Sequence, residues 1–133
     1  MGGGPLIILD THAFIWWADE SARLSVRARH ALEQADVLGV CAISCWEVAM
    51  LVEKDRLRLD RELLEFLRQA LALPRVRLLP LTPEISVAAA RLSSTALADP
   101  ADRMIAASAL ETGAALVSKD ARLKVVPGLK TVW

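Results

Sequence analysis

The chain has 133 residues, a length that suits one domain built around a single hydrophobic core. Its 16 basic and 16 acidic side chains balance, so any attraction for a polyanion must come from a local patch or a bound cation. Hydrophobic residues make up 54% of the sequence, but no stretch approaches the roughly 20 apolar residues that cross a bilayer, which predicts a soluble protein.

The N-terminal segment, residues 1–5, lacks the pattern of a signal peptide and has Leu6 where a myristoylation site requires Ser or Thr. We expect a flexible lead-in there and a cytoplasmic protein, with residues 1–133 forming one domain. The two cysteines, Cys41 and Cys45, lie too close together to cross-link the fold, and no His is near enough to complete a zinc site. Both are predicted to be small core residues.

The first predicted strand is the apolar run 6–9, which leads directly into Asp10, Thr11 and His12. Such runs are typical of buried parallel strands, and ligands bind beyond the carboxyl ends of these strands. Asp10 is therefore expected at a functional edge, although an Asp that opens a turn or caps a helix gives the same pattern. A single histidine such as His12 is more often a packed or partly exposed side chain than a catalytic residue.

A short aromatic helix (13–18), an amphipathic helix (25–35) and a second strand (37–43) are predicted next. Ser44 and Glu47 then match a capping box, which predicts a helix to about Lys54. Glu47 has two possible roles. Its side chain closes the box, or, because the helix follows a parallel strand, it reaches the edge that carries Asp10.

The middle of the chain alternates helices with a short strand. The spacing predicts a helix over 61–73, a strand over 76–79 and a helix from Glu84 to about Ser94 that is capped by Thr82. In the first of these helices the side chains expected to face inward are Leu63, Leu64, Leu67, Ala70 and Leu71. This alternation predicts a three-layer α/β fold with a central parallel sheet of about four to five strands.

Asp99 and Pro100 have the pattern of a helix cap followed by the first helical residue. Asp99 is thereby explained structurally. Asp102 instead lies on the side of the helix that carries Ile105 and Ala106, which should face the sheet. An acid there must be paired, bound to a metal or open to a cleft, unless the helix dipole alone accounts for it.

Gly113 ends this helix, and the run 114–117 predicts a strand that leads into Ser118, Lys119 and Asp120. If this strand lies next to the first one where the strand order reverses, Asp120 faces Asp10 across a crevice. A last edge strand is predicted from Val125, Val126 and residues 131–133, with a turn at 127–128.

Four carboxylates are thus predicted to converge from two strand ends and two helix starts: Asp10, Glu47, Asp102 and Asp120. Like charges at close range raise each other's pKa unless a cation neutralises them. Oxygen ligands without Cys or His favour Mg²⁺ or Mn²⁺ over zinc, and such sites hydrolyse phosphate esters. Thr11 and Ser118 are candidates to orient a carboxylate or a water molecule.

These residues resemble the PIN-domain nucleases, and among them the VapC-type toxins of toxin–antitoxin pairs. The likeness rests on four segments in the same order: Leu9-Asp10-Thr11-His12, Ser44-Cys45-Trp46-Glu47, Asp99 to Ala107, and Val117-Ser118-Lys119-Asp120. The resemblance implies a parallel sheet flanked by helices and a homodimer that is bound by a VapB-like antitoxin. It also implies that the four acids bind Mg²⁺ or Mn²⁺ and that the protein cleaves RNA.

Basic residues near the predicted site are candidates for contacts with RNA phosphates, or else form an ordinary solvated surface: Lys119, Arg122, Lys124 and Lys130. Apolar surface around Trp16, Trp17 and the 61–73 helix is a candidate for binding the antitoxin or a second copy. A haloacid-dehalogenase-like phosphohydrolase is an alternative, but that class needs an Asp at the position of His12. A domain that only binds RNA or a protein is the second alternative.

Overall fold

The computed structural model describes residues 5–92 and 97–133. Its elements in chain order are β1 (Leu6–Leu9), α1 (Thr11–Ala18), α2 (Val26–Gln34), β2 (Val37–Cys41), α3 (Ala42–Glu53), α4 (Leu63–Leu71), β3 (Val76–Leu79), α5 (Pro83–Arg91), α6 (Pro100–Thr112), β4 (Ala115–Val117), α7 (Ala121–Lys124) and β5 (Thr131–Val132).

The five strands form one parallel sheet in the order β3-β2-β1-β4-β5, which confirms the predicted fold class. β1 is central, and Ile8 pairs with Gly39 of β2 on one side and with Leu116 of β4 on the other. The chain moves outward from β1 to β3 and then returns to β1 with β4. The strand order therefore reverses between β1 and β4, where ligand sites of open α/β sheets form.

Alternate residues of β1 point into two separate cores. Leu9 packs with Phe14, Leu32 and Phe66 in a core that α1, α2 and α4 cover. Ile8 packs with Ile105 in the opposite core, under α6. Helix α5 packs on the outer side of α6. The sheet thus forms the middle of three layers.

The predicted capping box is wrong. Cys41 is the last residue of β2, and its extended backbone (φ −69°, ψ 142°) makes it the N-cap of α3 without a side-chain hydrogen bond. Helix α3 therefore begins at Ala42 with no connecting loop, and Ser44 already lies within its first turn. Glu47 lies one turn further along.

Several other expectations need correction. Leu64 was expected to face inward but is 52% exposed, and Phe66 instead lies on the buried face of α4. Val125 and Val126 follow the short helix α7, which was not predicted, and the last strand contains only Thr131 and Val132.

Two predictions, the flexible lead-in at residues 1–5 and the helix end near Ser94, concern residues next to parts of the chain that the structure does not describe. Pro5 does not belong to a flexible lead-in, since its carbonyl accepts hydrogen bonds from the N–H groups of Asp36 and Val37. Residues 1–4 lie outside the described residues. Helix α5 ends at Arg91, because the backbone of its C-cap Leu92 is extended (φ −65°, ψ 141°), so the helix is shorter than predicted; Ser94 itself lies outside the described residues. Within 5–92 and 97–133, no helix is both long and apolar enough to span a membrane.

Candidate active site

A cleft of about 460 Å³ opens at the carboxyl ends of β1 and β4. Its lining combines five acids with basic, aromatic and apolar side chains: Asp10, Thr11, His12, Trp16, Arg23, Glu47, Met50, Leu51, Asp99, Asp102, Lys119, Asp120 and Arg122. The four acids predicted to converge therefore do line one cleft. Asp99 is a fifth acid that the sequence had explained as a helix cap alone.

Asp10 joins the end of β1 to the start of α1. Its N–H donates to the carbonyl of Val117 in β4 at 3.1 Å, and its carboxylate accepts from the N–H of Ala13 at 2.9 Å as the N-cap of α1. Burial raises the pKa of Asp10, and the buried Ser118 side chain nearby lowers it. The Ser118 hydroxyl accepts from the N–H of Asp120 at 3.1 Å, and its orienting role toward Asp10 stays a prediction. Asp10 is both a helix cap and a cleft residue, two roles that the sequence could not separate.

Glu47 is placed by α3 and oriented by α1. The Thr11 hydroxyl donates a short hydrogen bond to its carboxylate and shares a 3.0 Å hydrogen bond with the buried Ser44 hydroxyl. Ser44 therefore supports Glu47 through Thr11, not through a capping box. Burial raises the pKa of Glu47, the Thr11 hydrogen bond lowers it, and the charge of nearby Asp99 raises it again.

Asp99 and Asp102 lie one helical turn apart at the start of α6. Asp99 caps the helix as predicted, and its carboxylate accepts from the N–H of Ala101 at 2.8 Å. The Asp102 side chain is 19% exposed. Burial, together with the charges of Asp99 and Glu47, raises its pKa to about 6. A helix cap and the third residue of the helix lie on the same side, as Asp99 and Asp102 do here. This spacing was the sequence signal that could have placed Asp99 in the site.

Asp120 caps the short helix α7 and is held by Arg122. The Arg122 guanidinium contacts Asp120 at 2.6 Å (Nη2–Oδ2) and 3.0 Å (Nε–Oδ1), and these hydrogen bonds lower the pKa of Asp120. The same Nη2 lies 3.4 Å from Oδ2 of Asp102. Arg122 was predicted as a contact for RNA phosphates, but in the structure it bridges two of the cleft acids.

The remaining candidate residues differ in whether they line the cleft. Lys119 is exposed and lines the cleft, whereas Lys124 is not among the described residues that line it. His12 is exposed on the rim and packs against Trp16, with 5.5 Å between ring centroids. Trp16 in turn packs against Trp133 at 5.6 Å. Trp16, which was expected to serve packing, therefore also forms part of the cleft wall.

The donor atoms fit a hard divalent cation. Glu47, Asp99 and Asp102 each present a carboxylate oxygen within 4.8 Å of the other two. Oxygens bound to one Mg²⁺ ion at about 2.1 Å lie about 3.0 Å apart when adjacent and about 4.2 Å apart when opposite, so these three oxygens are near enough to share an ion. Every acid in the cleft offers oxygen, which suits Mg²⁺ or Mn²⁺ better than zinc. A bound cation would also offset the burial and repulsion that raise the pKa of Glu47 and Asp102.

Comparison with known proteins gives consistent results. Residues 7–129 match the model of the PIN domain family. The chain is 43% identical over 129 residues to Ribonuclease VapC22 of Mycobacterium tuberculosis, covering 96% of this chain and 98% of that protein.

Solved structures with low sequence identity share the fold. VapBC2 from Rickettsia felis, bound to a DNA fragment from its promoter, has a TM-score of 0.69 at 16% identity, covering 95% of this chain and 96% of that one. DNA-bound VapBC from Salmonella typhimurium has a TM-score of 0.70 at 16% identity, covering 96% of both chains. With the family model matched over nearly the whole sequence, the chain belongs to the PIN domain family.

Proposed function

We propose that this chain is a metal-dependent endoribonuclease, the toxin of a type II toxin–antitoxin pair, with residues 1–133 forming a single nuclease domain. The observation that carries the proposal is the convergence of Asp10, Glu47, Asp102 and Asp120 in one cleft of a PIN domain. These residues are far apart in the sequence and come from two strand ends and two helices. The similarity to Ribonuclease VapC22 supports RNA as the substrate.

In this proposal the four acids hold Mg²⁺ or Mn²⁺, and Asp99 is close enough to join them. The bound metal would polarise the scissile phosphate and activate water for in-line attack. Thr11 keeps the Glu47 carboxylate turned into the cleft, and Ser118 does the same for Asp10. Lys119 and Arg23 are the exposed cations on the rim that can attract RNA phosphates.

The proposed partners are a VapB-like antitoxin and a second copy of the chain. Several solved structures with this fold are toxin–antitoxin complexes, which supports the first partner. A groove of about 430 Å³, in which Trp17, Leu73 and Pro74 lie among charged side chains, borders the apolar region that we propose for antitoxin binding. Since the substrate is RNA, we place the activity in the cytoplasm.

The proposal is tested by incubating the purified protein with end-labelled RNA and Mn²⁺ or Mg²⁺. We expect discrete cleavage products that EDTA abolishes and that Asp10→Asn abolishes without loss of the folded state. Asp36→Asn, at an exposed position between α2 and β2, is the matched control and should cleave normally. Cleavage that persists in EDTA would refute the metal requirement. Failure of the wild type to cleave a broad set of RNAs would favour a domain that only binds a partner.

The haloacid-dehalogenase-like alternative is not favoured. The matched family model covers residues 7–129, and His12 stands where that class needs its second Asp.

A further inference from the structure

Arg122 brings a positive charge of the protein itself into the acidic cleft. Its guanidinium engages both carboxylate oxygens of Asp120, at 3.0 Å (Nε–Oδ1), 3.2 Å (Nε–Oδ2) and 2.6 Å (Nη2–Oδ2). Its backbone N–H adds a bond of 2.9 Å to Oδ1. Nη2 also lies 3.4 Å from Oδ2 of Asp102, which is 20 residues earlier in the chain. Among the described residues, this is the cation that forms ion pairs with acids of the cleft.

The guanidinium and a divalent cation need the same oxygens. A metal ion sits about 2.1 Å from each ligand oxygen, so an ion held by Asp102 and Asp120 would lie within about 5 Å of the guanidinium. Two cations at that distance repel each other strongly in a partly desolvated site. The Asp102 side chain is largely shielded from water, at 19% exposure, whereas the Arg122 side chain is 58% exposed and can swing outward.

We propose that Arg122 is a tethered counter-cation that competes with the divalent metal for Asp102 and Asp120, so that metal entry requires its guanidinium to leave Asp102. This inference rests on the proposed function, because it concerns the metal site of that same cleft. Release from Asp102 frees the Nη2 group for an RNA phosphate, which ties the predicted phosphate contact of Arg122 to metal loading.

The geometry is consistent with this competition. The guanidinium already contacts carboxylate oxygens of both Asp120 and Asp102. It therefore partly performs the charge neutralisation that a metal would complete.

The test is calorimetric titration of Mn²⁺ into the wild type, Arg122→Gln and Arg122→Lys, in the absence of RNA. We expect Arg122→Gln to bind Mn²⁺ about tenfold more tightly, because the competing charge is gone. Arg122→Lys keeps the charge but not the two-pronged contact and should fall in between. Thermal unfolding with and without Mn²⁺ gives an independent readout, with a larger metal-induced rise in midpoint for Arg122→Gln.

Lys119→Gln is the matched control, since it removes another cation from the same cleft lining. It should change the Mn²⁺ affinity by less than about threefold, as expected for a screened and exposed charge. Equal or weaker Mn²⁺ binding by Arg122→Gln would overturn the competition while leaving the proposed nuclease intact. If neither the wild type nor Arg122→Gln binds Mn²⁺, both the proposed metal site and the competition fail.

Discussion

Asp102→Asn should stabilise the metal-free protein at neutral pH. Folding raises the pKa of Asp102 from 3.8 to about 6, with burial as the largest cause and the charges of Asp99 and Glu47 next. The folded state therefore binds the proton more tightly than the unfolded state does. For an acid shifted in this direction, stability is highest below pH 3.8, falls as the pH rises through about 6, and is constant above that.

The size of the effect follows from the shift of about two pKa units. At about 1.4 kcal/mol per unit, the charged carboxylate lowers the free energy of unfolding by about 3 kcal/mol at pH 7.5. At pH 4 the folded protein holds Asp102 mostly protonated, so the loss is only about 0.6 kcal/mol. The 19% exposure of the side chain means that solvent screening removes little of this cost. Replacement by the neutral, similarly shaped Asn should recover most of it.

The assay is urea unfolding in EDTA at the two pH values, followed by the fluorescence of the four tryptophans. We expect Asp102→Asn to raise the free energy of unfolding by about 2–3 kcal/mol at pH 7.5 and by less than about 1 kcal/mol at pH 4. Asp36→Asn, at an exposed position, serves as the control and should change little at either pH. A neutral or destabilising effect of Asp102→Asn at pH 7.5 would refute the reasoning that burial of this charge is costly.

Four further substitutions, at three positions, test the supports of the site and of the sheet. Asp99→Asn should keep the helix cap and the stability but weaken Mn²⁺ binding about tenfold in calorimetry, whereas Asp99→Ala should in addition lose about 1 kcal/mol of unfolding free energy. Thr11→Val removes the hydroxyl that donates to Glu47 and should cost about 1–2 kcal/mol in urea unfolding. Gly39→Ala places a methyl group 2.8 Å from Cδ1 of Leu79 and should cost about 1–3 kcal/mol, measured as a lower thermal midpoint with the fold retained.

The parallel sheet and its functional edge were predictable because they rest on local signals. An apolar run that ends in Asp10 predicts a buried strand and its polar end, and Thr82 and Asp99 before proline predict helix starts that the structure confirms. Gly113 adopts the left-handed conformation (φ 71°) expected where a helix ends. Each of these signals depends on a few neighbouring residues.

Features that depend on distant residues were missed. Ser44 and Glu47 match the spacing of a capping box, but the pattern does not show where the preceding strand ends, and Ser44 instead contacts Thr11, 33 residues away. Asp99 was explained by its cap; its spacing from Asp102 pointed to the site, but its closeness to Glu47 depends on the packing of α3 beside α6. The contact of Arg122 with Asp102 likewise depends on the meeting of two helices.

The central position of β1 has a consequence for the chain during its synthesis. β1 is made before the other strands of the sheet, but one of its two neighbours, β4, is made only after β2 and β3, and Asp120 follows it. The 73 residues from Val48 to Asp120 take roughly 4–15 s to translate at 5–20 residues per second. For most of that interval the growing polypeptide contains Asp10 and Glu47 but lacks Asp99, Asp102 and Asp120. The complete cleft therefore cannot assemble before β4 has been made and has inserted beside β1.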